Sequence, residues 1–367
     1  MISRITQADI ARKAGVHSTT VSMALRNHPS LPLETRQRIQ ALAESMGYRP
    51  DPNLRALMLY RRQVHVGASA VTLAYVTNFD TRWGWKNSTA HAQFYAGACA
   101  KAEQLGYRLD HFWLGEPGLT AQRLSDILSA RGITGVIVAS QLPTADQPLL
   151  FDWPRFSAIK IDFFPSQPEL SNVTNDQTAI MRLAVRQIHA AGYRRVGLVM
   201  PAWFDDFVRQ AWSAGFLVEQ QRIPVEDRVP ILFYPRPKDD IKGVAPVPAK
   251  TLAEWRERFR PDALVSWSPF VLPRLAELGL SVPRDLGFAD IMLERYDGAM
   301  AGVRQNCERV GELAVEILAG QLQQHIFGIP RFPTASFVEG TWIDGATLPL
   351  RNGARPAVPF VPEPQAV

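Results

Sequence analysis

The sequence predicts a small all-helical unit over residues 1–50, which contains a helix-turn-helix, and an α/β domain over residues 66–348 with two lobes and parallel sheets. A chain of 367 residues is long enough for one small and one large two-lobed domain. Apolar residues first recur with the helical period. Further along, short apolar runs typical of buried strands alternate with helical segments. A Gly-Tyr pair follows a helical segment in each half of the large domain, which indicates two similar lobes.

The first two helices are predicted from their capping and turn residues. Thr6 and Asp9 have the types and the spacing of a capping box, in which a hydroxyl and an acid three residues on satisfy the free N–H groups of a helix start. Gly15 ends this helix, because glycine readily adopts the left-handed conformation found at helix C-termini. A second helix is expected over Ser18–Leu25, and the short turn between the two is typical of a helix-turn-helix.

A third helix is expected over Leu33–Met46, where apolar residues follow the i, i+3, i+4, i+7 pattern, and Gly47 stops it. Residues 51–65 are predicted to form a hinge helix and linker, because Asp51 is a good N-cap and Pro52 a good first helical residue. A helix of about nine residues is marginal by itself in water. We therefore expect it to order only against DNA or a partner chain.

The excess positive charge of the chain is concentrated at its N-terminus. Residues 1–62 contain ten Arg and Lys against four Asp and Glu, a net charge of +6 in a chain whose total is +5. Such a cluster fits a phosphate-backbone binder, and equally a solvated basic surface.

The second helix of a helix-turn-helix places its N-terminal residues in the major groove of DNA. Short hydroxyl side chains at that position can contact bases or phosphates, although Ser18 and Thr19 can equally serve as helix caps. The residues in and beside this part of the helix are His17, Ser18, Thr19, Thr20, Ser22 and Met23.

The large domain is predicted from alternating strands and helices, with a cleft between the lobes as a natural small-molecule site. Pro230–Pro248 is rich in proline and is expected to be an irregular loop, and the Pro-rich tail 349–367 is expected to be disordered. Strands are expected at Val71–Val76, Gly135–Ala139, Ala158–Asp162, Val196–Met200, Ala263–Ser266 and Gly287–Ile291, and helices at Ala92–Leu105, Thr178–Ala191 and Glu308–Ala319.

Signals for catalysis, cofactors and metals are absent from the sequence. There is no Gly-x-Gly-x-x-Gly or Walker loop, so no cofactor is expected. The adjacent carboxylates Asp205 and Asp206 fall in a predicted loop and are expected to be solvated. The only cysteines, Cys99 and Cys307, do not indicate a disulfide framework or a zinc site. Because no apolar run is long enough to span a membrane and the N-terminus lacks a signal-peptide core, we expect a cytoplasmic protein. We also expect that it is not an enzyme, because the sequence has no nucleophile–base pair or phosphate-binding motif.

Nine short segments together form a pattern that is specific in its N-terminal part. They are Asp9–Val16, Thr20–Ser22, Glu34–Ile39, Gly47–Pro50, Ala98–Tyr107, Ile133–Val138, Gly192–Val199, Pro261–Val265 and Val282–Leu286. These segments resemble the lactose-repressor (LacI/GalR) family of transcription regulators, and the resemblance extends to about residue 345. It implies a two-lobed, periplasmic-binding-protein-like fold for the large domain.

By this resemblance we expect a homodimeric repressor of a metabolic, carbohydrate-related operon that binds a palindromic operator in double-stranded DNA and responds to a small-molecule effector. The hinge helix would enter the minor groove, where Leu57 has the position of the leucine that such helices insert between base steps. The candidate DNA-contacting residues are Thr6, His17, Ser18, Thr19, Thr20, Ser22, Met23, Arg26, Asn27, Arg55 and Leu57.

The effector pocket departs from the family pattern. Sugar-responsive members carry Arg, Asn and Asp at three positions where this chain has Trp212, Trp267 and Met292. Aromatic faces suit sugar rings and planar molecules, so we expect an effector that stacks, or else tryptophans that only plug the cleft. The candidate effector-binding residues are Trp83, His91, Phe94, Arg209, Trp212, Trp267, Asp290 and Met292.

Other functions fit the same fold. A free solute-binding protein is disfavoured by the basic N-terminal unit and the missing signal peptide. An α/β enzyme is disfavoured because the sequence has no nucleophile–base pair or phosphate-binding motif. A regulator of this fold that has lost its effector also fits.

Overall fold

The computed structural model of the protein describes residues 5–25, 31–48, 71–141, 147–237 and 244–351. Its N-terminal helices are α1 (Gln7–Ala14), α2 (Ser18–Leu25) and α3 (Leu33–Ser45). Helix α2 has the predicted bounds, and α3 ends one residue earlier than predicted.

Both signals that predicted the ends of α1 are present. The Thr6 N–H donates to the Asp9 carboxylate at 2.9 Å, and the Asp9 N–H donates to the Thr6 hydroxyl at 3.3 Å. Gly15 has a φ of +66°, the left-handed conformation that favours glycine. Ile10, Val21 and Ile39, one from each helix, are fully buried in a shared core that fixes the three helices. The hinge predicted over residues 51–65 lies outside the described residues, as does the tail from residue 352 onward.

The first sheet of the α/β domain has six strands within the described residues, and its spatial order is β11-β5-β4-β3-β1-β2. All of its pairings are parallel. The strands are β1 (Val71–Asn78), β2 (Tyr107–Trp113), β3 (Gly135–Gln141), β4 (Ser157–Ile161), β5 (Asn172–Asn175) and β11 (Ala335–Val338).

The second sheet repeats this order as β12-β10-β9-β8-β6-β7. It differs in its last strand, because β12 runs antiparallel to β10. The prediction of two similar lobes on parallel sheets is therefore confirmed for all but this edge. The strands are β6 (Val196–Pro201), β7 (Leu232–Tyr234), β8 (Ala263–Ser266), β9 (Gly287–Asp290), β10 (Ala301–Arg304) and β12 (Thr341–Ile343).

Helices cover both sheets, as parallel strands require. Glycines allow the two longest of them, α4 and α11, to approach closely: a Cβ at Gly97 would collide with the backbone of Glu308, and one at Gly311 with the backbone of Phe94. The helices of the domain are α4 (Thr89–Gln104), α5 (Ala121–Ala130), α6 (Gln177–Ala190), α7 (Ala202–Phe207), α8 (Ala211–Gln220), α9 (Ala249–Phe259), α10 (Ser268–Glu277) and α11 (Cys307–Gln324).

The chain crosses between the lobes after β5, after β10 and between β11 and β12. In both lobes the carboxyl ends of the parallel strands face the space between the sheets, where α/β proteins usually bind ligands. The lobes touch there: the ring centroids of Phe164 and Phe207 lie 5.2 Å apart, and the Arg209 guanidinium lies 5.1 Å from the Phe163 ring. We call this space between the two sheets the ligand cleft.

Two expectations from the sequence are wrong. Within Pro230–Pro248, expected to be irregular, Leu232–Tyr234 forms β7 and pairs with β6. Prolines on both sides of this three-residue strand hid its signal. Asp205, expected to be solvated in a loop, lies on α7 and is only 1% exposed. Its carboxylate accepts the N–H of Ser213 at 3.1 Å, so it satisfies a free donor at the start of α8.

Candidate DNA-binding surface and ligand cleft

Helix α2 buries one side and presents a polar N-terminus on the other. Val21 and Ala24 are fully buried against α1 and α3. Of the predicted reading residues, the first three, His17, Ser18 and Thr19, are exposed, and the others, Thr20, Ser22 and Met23, are half-buried. The exposed residues are those that enter the major groove when such a helix docks on DNA.

His17 organises this N-terminus. Its carbonyl accepts the N–H groups of Thr20 at 3.0 Å and Val21 at 3.2 Å, and its ring nitrogen Nδ1 lies 2.8 Å from the Thr19 hydroxyl. The Thr19 hydroxyl therefore has a partner within the protein. The Ser18 side chain is exposed beside it.

The remaining predicted DNA contacts divide into one described residue and four others. Thr6 is exposed, and its hydroxyl is held in the capping box with Asp9. These hydrogen bonds lower the pKa of Asp9, which keeps the box charged. Arg26, Asn27, Arg55 and Leu57 lie outside the described residues.

The second lobe ends in an aromatic stack, which we define as Phe204, Trp212, Trp267 and Phe270. The Phe204 ring stacks on Trp212 at a centroid distance of 4.6 Å and on Trp267 at 5.7 Å, and meets the edge of Phe270 at 4.8 Å. Trp212 is only 2% exposed, and Trp267 is half-buried. The structure thus brings the two predicted tryptophans together through Phe204, which the sequence reasoning missed. Its place in the short segment that follows strand β6 was the signal that could have identified it.

A chain of buried amides links the aromatic stack to two crossovers. The Trp212 indole N–H donates to Gln177 Oε1 at 2.8 Å. Gln177 Nε2 donates to Gln305 Oε1 at 3.1 Å, and Gln305 Nε2 donates to the Ile291 carbonyl at 3.0 Å. Gln177 follows β5 and Gln305 follows β10, so both lie where the chain passes between lobes. The Trp212 indole is therefore connected by hydrogen bonds to both crossovers.

The other three predicted residues of this lobe differ in their surroundings. Asp290 is buried, and its carboxylate accepts the N–H of Ser268 at 3.0 Å and of Met292 at 2.7 Å. Burial raises the pKa of Asp290 to about 6. This carboxylate therefore holds the start of α10. Met292 is half-buried against the core of the lobe, and Arg209 is exposed at the cleft.

The matching edge of the first lobe is polar. Asp162 directly follows β4 and accepts the Thr174 hydroxyl at 2.7 Å. Burial raises the pKa of Asp162 to about 6. His91, predicted as a ligand contact, has its Nδ1 3.2 Å from the Ser140 hydroxyl. Burial lowers the pKa of His91 to about 4, so its ring is neutral at physiological pH. The sequence reasoning missed Asp162, although it stood at the predicted end of a strand.

Two predicted effector contacts lie apart from this group. Phe94 is 2% exposed and packs in the core between α4 and α11. Trp83 is 46% exposed and lies 4.6 Å from the His111 ring, and both line a surface cavity of about 670 Å³ beside the edge strand β2. Its neighbour Lys86 places a charge 4.2 Å from the same indole.

The described residues contain no cluster of three or more His, Cys, Asp or Glu placed to hold a metal ion. Among the helices described here, none is long and apolar enough to cross a membrane.

The two parts of the chain match two known groups of proteins. Residues 6–51 match the lacI family of bacterial regulatory proteins, and residues 185–341 match the periplasmic binding protein-like domain. The HTH-type transcriptional repressor PurR of Glaesserella parasuis serovar 5 is 21% identical over 336 residues, which cover 87% of this chain and 91% of PurR.

Two solved structures share the fold. The complex of transcriptional regulator CelR with cellobiose has a TM-score of 0.54 at 17% identity, and covers 94% of this chain and 100% of that one. The lac repressor dimer bound to operator and the anti-inducer ONPF has a TM-score of 0.52 at 16% identity, and covers 95% and 100%.

A helix-turn-helix joined to a two-lobed periplasmic-binding-protein-like domain defines a DNA-binding transcription regulator with an effector-binding domain. Residues 6–51 carry the helix-turn-helix of the lacI family of bacterial regulatory proteins, as the N-terminal motif predicts.

Proposed function

We propose that the protein represses a metabolic operon by binding a pseudo-palindromic operator as a homodimer, in the cytoplasm and without catalytic activity of its own. The observation that carries this proposal is the exposed polar N-terminus of α2 formed by His17, Ser18 and Thr19. One such helix reads one half-site, so a pseudo-palindrome requires two chains. The net charge of +6 in residues 1–62 supplies phosphate contacts.

A mobility-shift titration over a salt series tests this proposal. Several phosphate contacts predict a steep linear fall of log K with log salt. The complex should contain two chains per operator. A single chain bound at full affinity would contradict the dimer, and salt-independent binding would contradict the role of the basic segment.

The hinge remains part of the proposal on sequence grounds alone. Residues 51–65 would order on the operator, and Leu57 would enter the minor groove and bend the DNA. Leu57→Ala should then weaken operator binding and remove the bend in a gel-phasing assay, while the α/β domain stays folded. Unchanged bending would remove Leu57 from this role.

For the effector we propose a molecule that stacks on the aromatic faces of the second lobe. Support comes from the aromatic stack and from the amide chain between Trp212 and both crossovers, which offers a route from cleft to hinge. Binding that moves one lobe would change the separation of the two hinges in a dimer.

One observation favours a second candidate, a regulator of the same fold that responds to no small molecule. Phe204 already covers Trp212, whose exposure is only 2%. Tryptophan fluorescence and operator binding, followed together against a panel of metabolites, separate the two candidates. An effector must change both signals, whereas an aromatic plug leaves both unchanged.

A further inference from the structure

Phe204 lies where the chain carries unusual backbone. Its helix, α7, has only six residues, and Arg209 and Gln210 follow it with φ values of +57° each. Two consecutive non-glycine residues in the left-handed region are uncommon, and such segments concentrate at ligand clamps and switches. The junction behind Phe204 is therefore a segment of the kind found at ligand clamps and switches.

The contacts of the Phe204 ring describe a slot for a flat ring. Trp212 and Trp267 both stack on it, with interplanar angles of 28° and 9°, and Phe270 meets it edge-on at 87°. These are the two arrangements that aromatic rings prefer. We call the volume of the Phe204 ring, bounded by these three side chains, the ring slot.

Two guanidinium groups near α7 stand on aromatic rings. Arg209 lies 5.1 Å from the Phe163 ring, and Arg236 lies 4.8 Å from the Trp203 ring, which itself contacts Phe204 at 5.4 Å.

Both acids of α7 already have partners. The Asp205 carboxylate accepts the Ser213 N–H, and Asp206 accepts the Gln210 side chain at 2.7 Å. The surroundings of α7 thus combine stacked aromatic faces with two guanidinium groups and two carboxylates that already hold hydrogen-bond donors.

From this geometry we propose that the effector is a planar aromatic molecule with a carboxylate, whose ring takes the place of Phe204 in the ring slot and whose charge lies at Arg209. This inference rests on the proposed function. It also explains why two of the three polar positions of sugar-responsive relatives are aromatic here: a hexose has no flat ring to fill the slot. Phe204 acts as an internal competitor, which lowers the apparent affinity by the fraction of time that its ring occupies the slot.

Phenylacetate tests the proposal, because its phenyl ring is that of the Phe204 side chain. The full-length protein and its Phe204→Ala variant are titrated by calorimetry with phenylacetate, with neutral 2-phenylethanol, and with cellobiose. Phe204→Ala should bind phenylacetate at least about tenfold more tightly than the unaltered protein, since the competitor is gone. It should prefer phenylacetate to 2-phenylethanol by about tenfold, as a charge-assisted contact predicts.

Three further variants keep the test decisive. Phe204→Leu retains most of the volume and should show the same direction of change if Phe204→Ala fails to fold. Arg209→Gln, added to either variant, should abolish the preference for phenylacetate and leave 2-phenylethanol binding unchanged. Phe332→Ala removes a phenylalanine that is 76% exposed and should change nothing.

The inference is overturned if neither Phe204 variant binds phenylacetate more tightly than the unaltered protein, or if the unaltered protein binds cellobiose and not phenylacetate. Operator binding is measured in the same samples by mobility shift. Normal operator binding with no gain for phenylacetate would reject the effector class alone. If the unaltered protein shows no specific DNA binding in the mobility shift, the proposed function is rejected, whatever the calorimetry gives.

Discussion

The two lobes have the same strand order but differ at the edges that face each other, because the aromatic stack belongs to the second lobe. In the first lobe Asp162 follows β4 and bonds to Thr174, and in the second Phe204 follows β6 and stacks on Trp212. Parallel topology brings the carboxyl ends of strands together in both lobes, so it determines where a site lies. The residue types after each strand determine what that site can bind. In this chain Asp162 and Thr174 of the first lobe can hydrogen-bond a ligand, and the aromatic stack of the second lobe can hold a ring.

The largest expected effect separates a buried tryptophan of the cleft from an exposed tryptophan outside it. Trp212→Ala should destabilise the protein by about 3–5 kcal/mol, because it empties a buried site and removes the bond to Gln177. Trp83→Ala, at a largely exposed position, should cost about 1 kcal/mol or less. Urea unfolding followed by circular dichroism measures both. Equal losses of unfolding free energy in the two variants would contradict the prediction that the buried tryptophan contributes more to stability than the exposed one.

A second prediction concerns the amides between the lobes. Gln177→Leu leaves the Trp212 indole and the Gln305 amide without their partner, and should cost about 2 kcal/mol. The double variant Gln177→Leu/Gln305→Leu should cost less than the sum of the two single variants, because both partners are then apolar. A double-mutant cycle in urea checks this. Strict additivity would show that the two glutamines do not act as a pair.

The smallest effect is a change of stability with pH, which compares the two aspartates whose pKa is raised, Asp162 and Asp290. Asp162 ionises near pH 6 in the folded protein and near pH 3.8 when unfolded, so between these values the folded state binds more protons. Stability from this group therefore falls as the pH rises from about 4 to 6. Asp162→Asn removes this loss and still accepts the Thr174 hydroxyl. It should be more stable than the unaltered protein by about 1–2 kcal/mol above pH 6, and equal to it near pH 4.

Asp290 has the same raised pKa and a different set of partners. Its two oxygens accept two backbone N–H groups, and an asparagine can accept only with one of its two terminal atoms. Asp290→Asn should therefore lose about 1 kcal/mol of hydrogen bonding that offsets its gain above pH 6. Urea unfolding at pH 4, 5, 6 and 7.5 compares the two variants. If both variants gain the same unfolding free energy at every pH, the two backbone hydrogen bonds of Asp290 do not contribute to stability.

Much of the fold follows from local signals. The Thr6–Asp9 capping box and Gly15 predict the ends of α1 correctly, because they depend on neighbours in the chain. Strand β7 escaped prediction because three residues between prolines carry too little periodicity. The burial of Asp205 could not be predicted, since its partner Ser213 comes into reach only when α7 and α8 fold together.

In the cleft, too, some residues could be predicted from the sequence and others only from the structure. Counting from short motifs identified Trp212 and Trp267 as cleft residues, and the structure brings them together. Their contact runs through Phe204, a residue with no motif of its own. Trp83 was also a candidate effector contact, and the structure places it against His111 at the edge of the sheet. Residue type predicts chemistry, but only the tertiary arrangement decides which residues share a site.

The central claim is that the N-terminus of α2 reads a DNA sequence, and selection from a randomised duplex library tests it most directly. The full-length protein should enrich a pseudo-palindrome. Thr19→Ala should enrich a sequence changed at symmetric positions, with about 1–3 kcal/mol at stake per base contact. Ser45→Ala, an exposed hydroxyl on α3 that bonds within its own helix, should enrich the original sequence. Enrichment of no sequence by the unaltered protein, or an unchanged sequence for Thr19→Ala, would contradict the account.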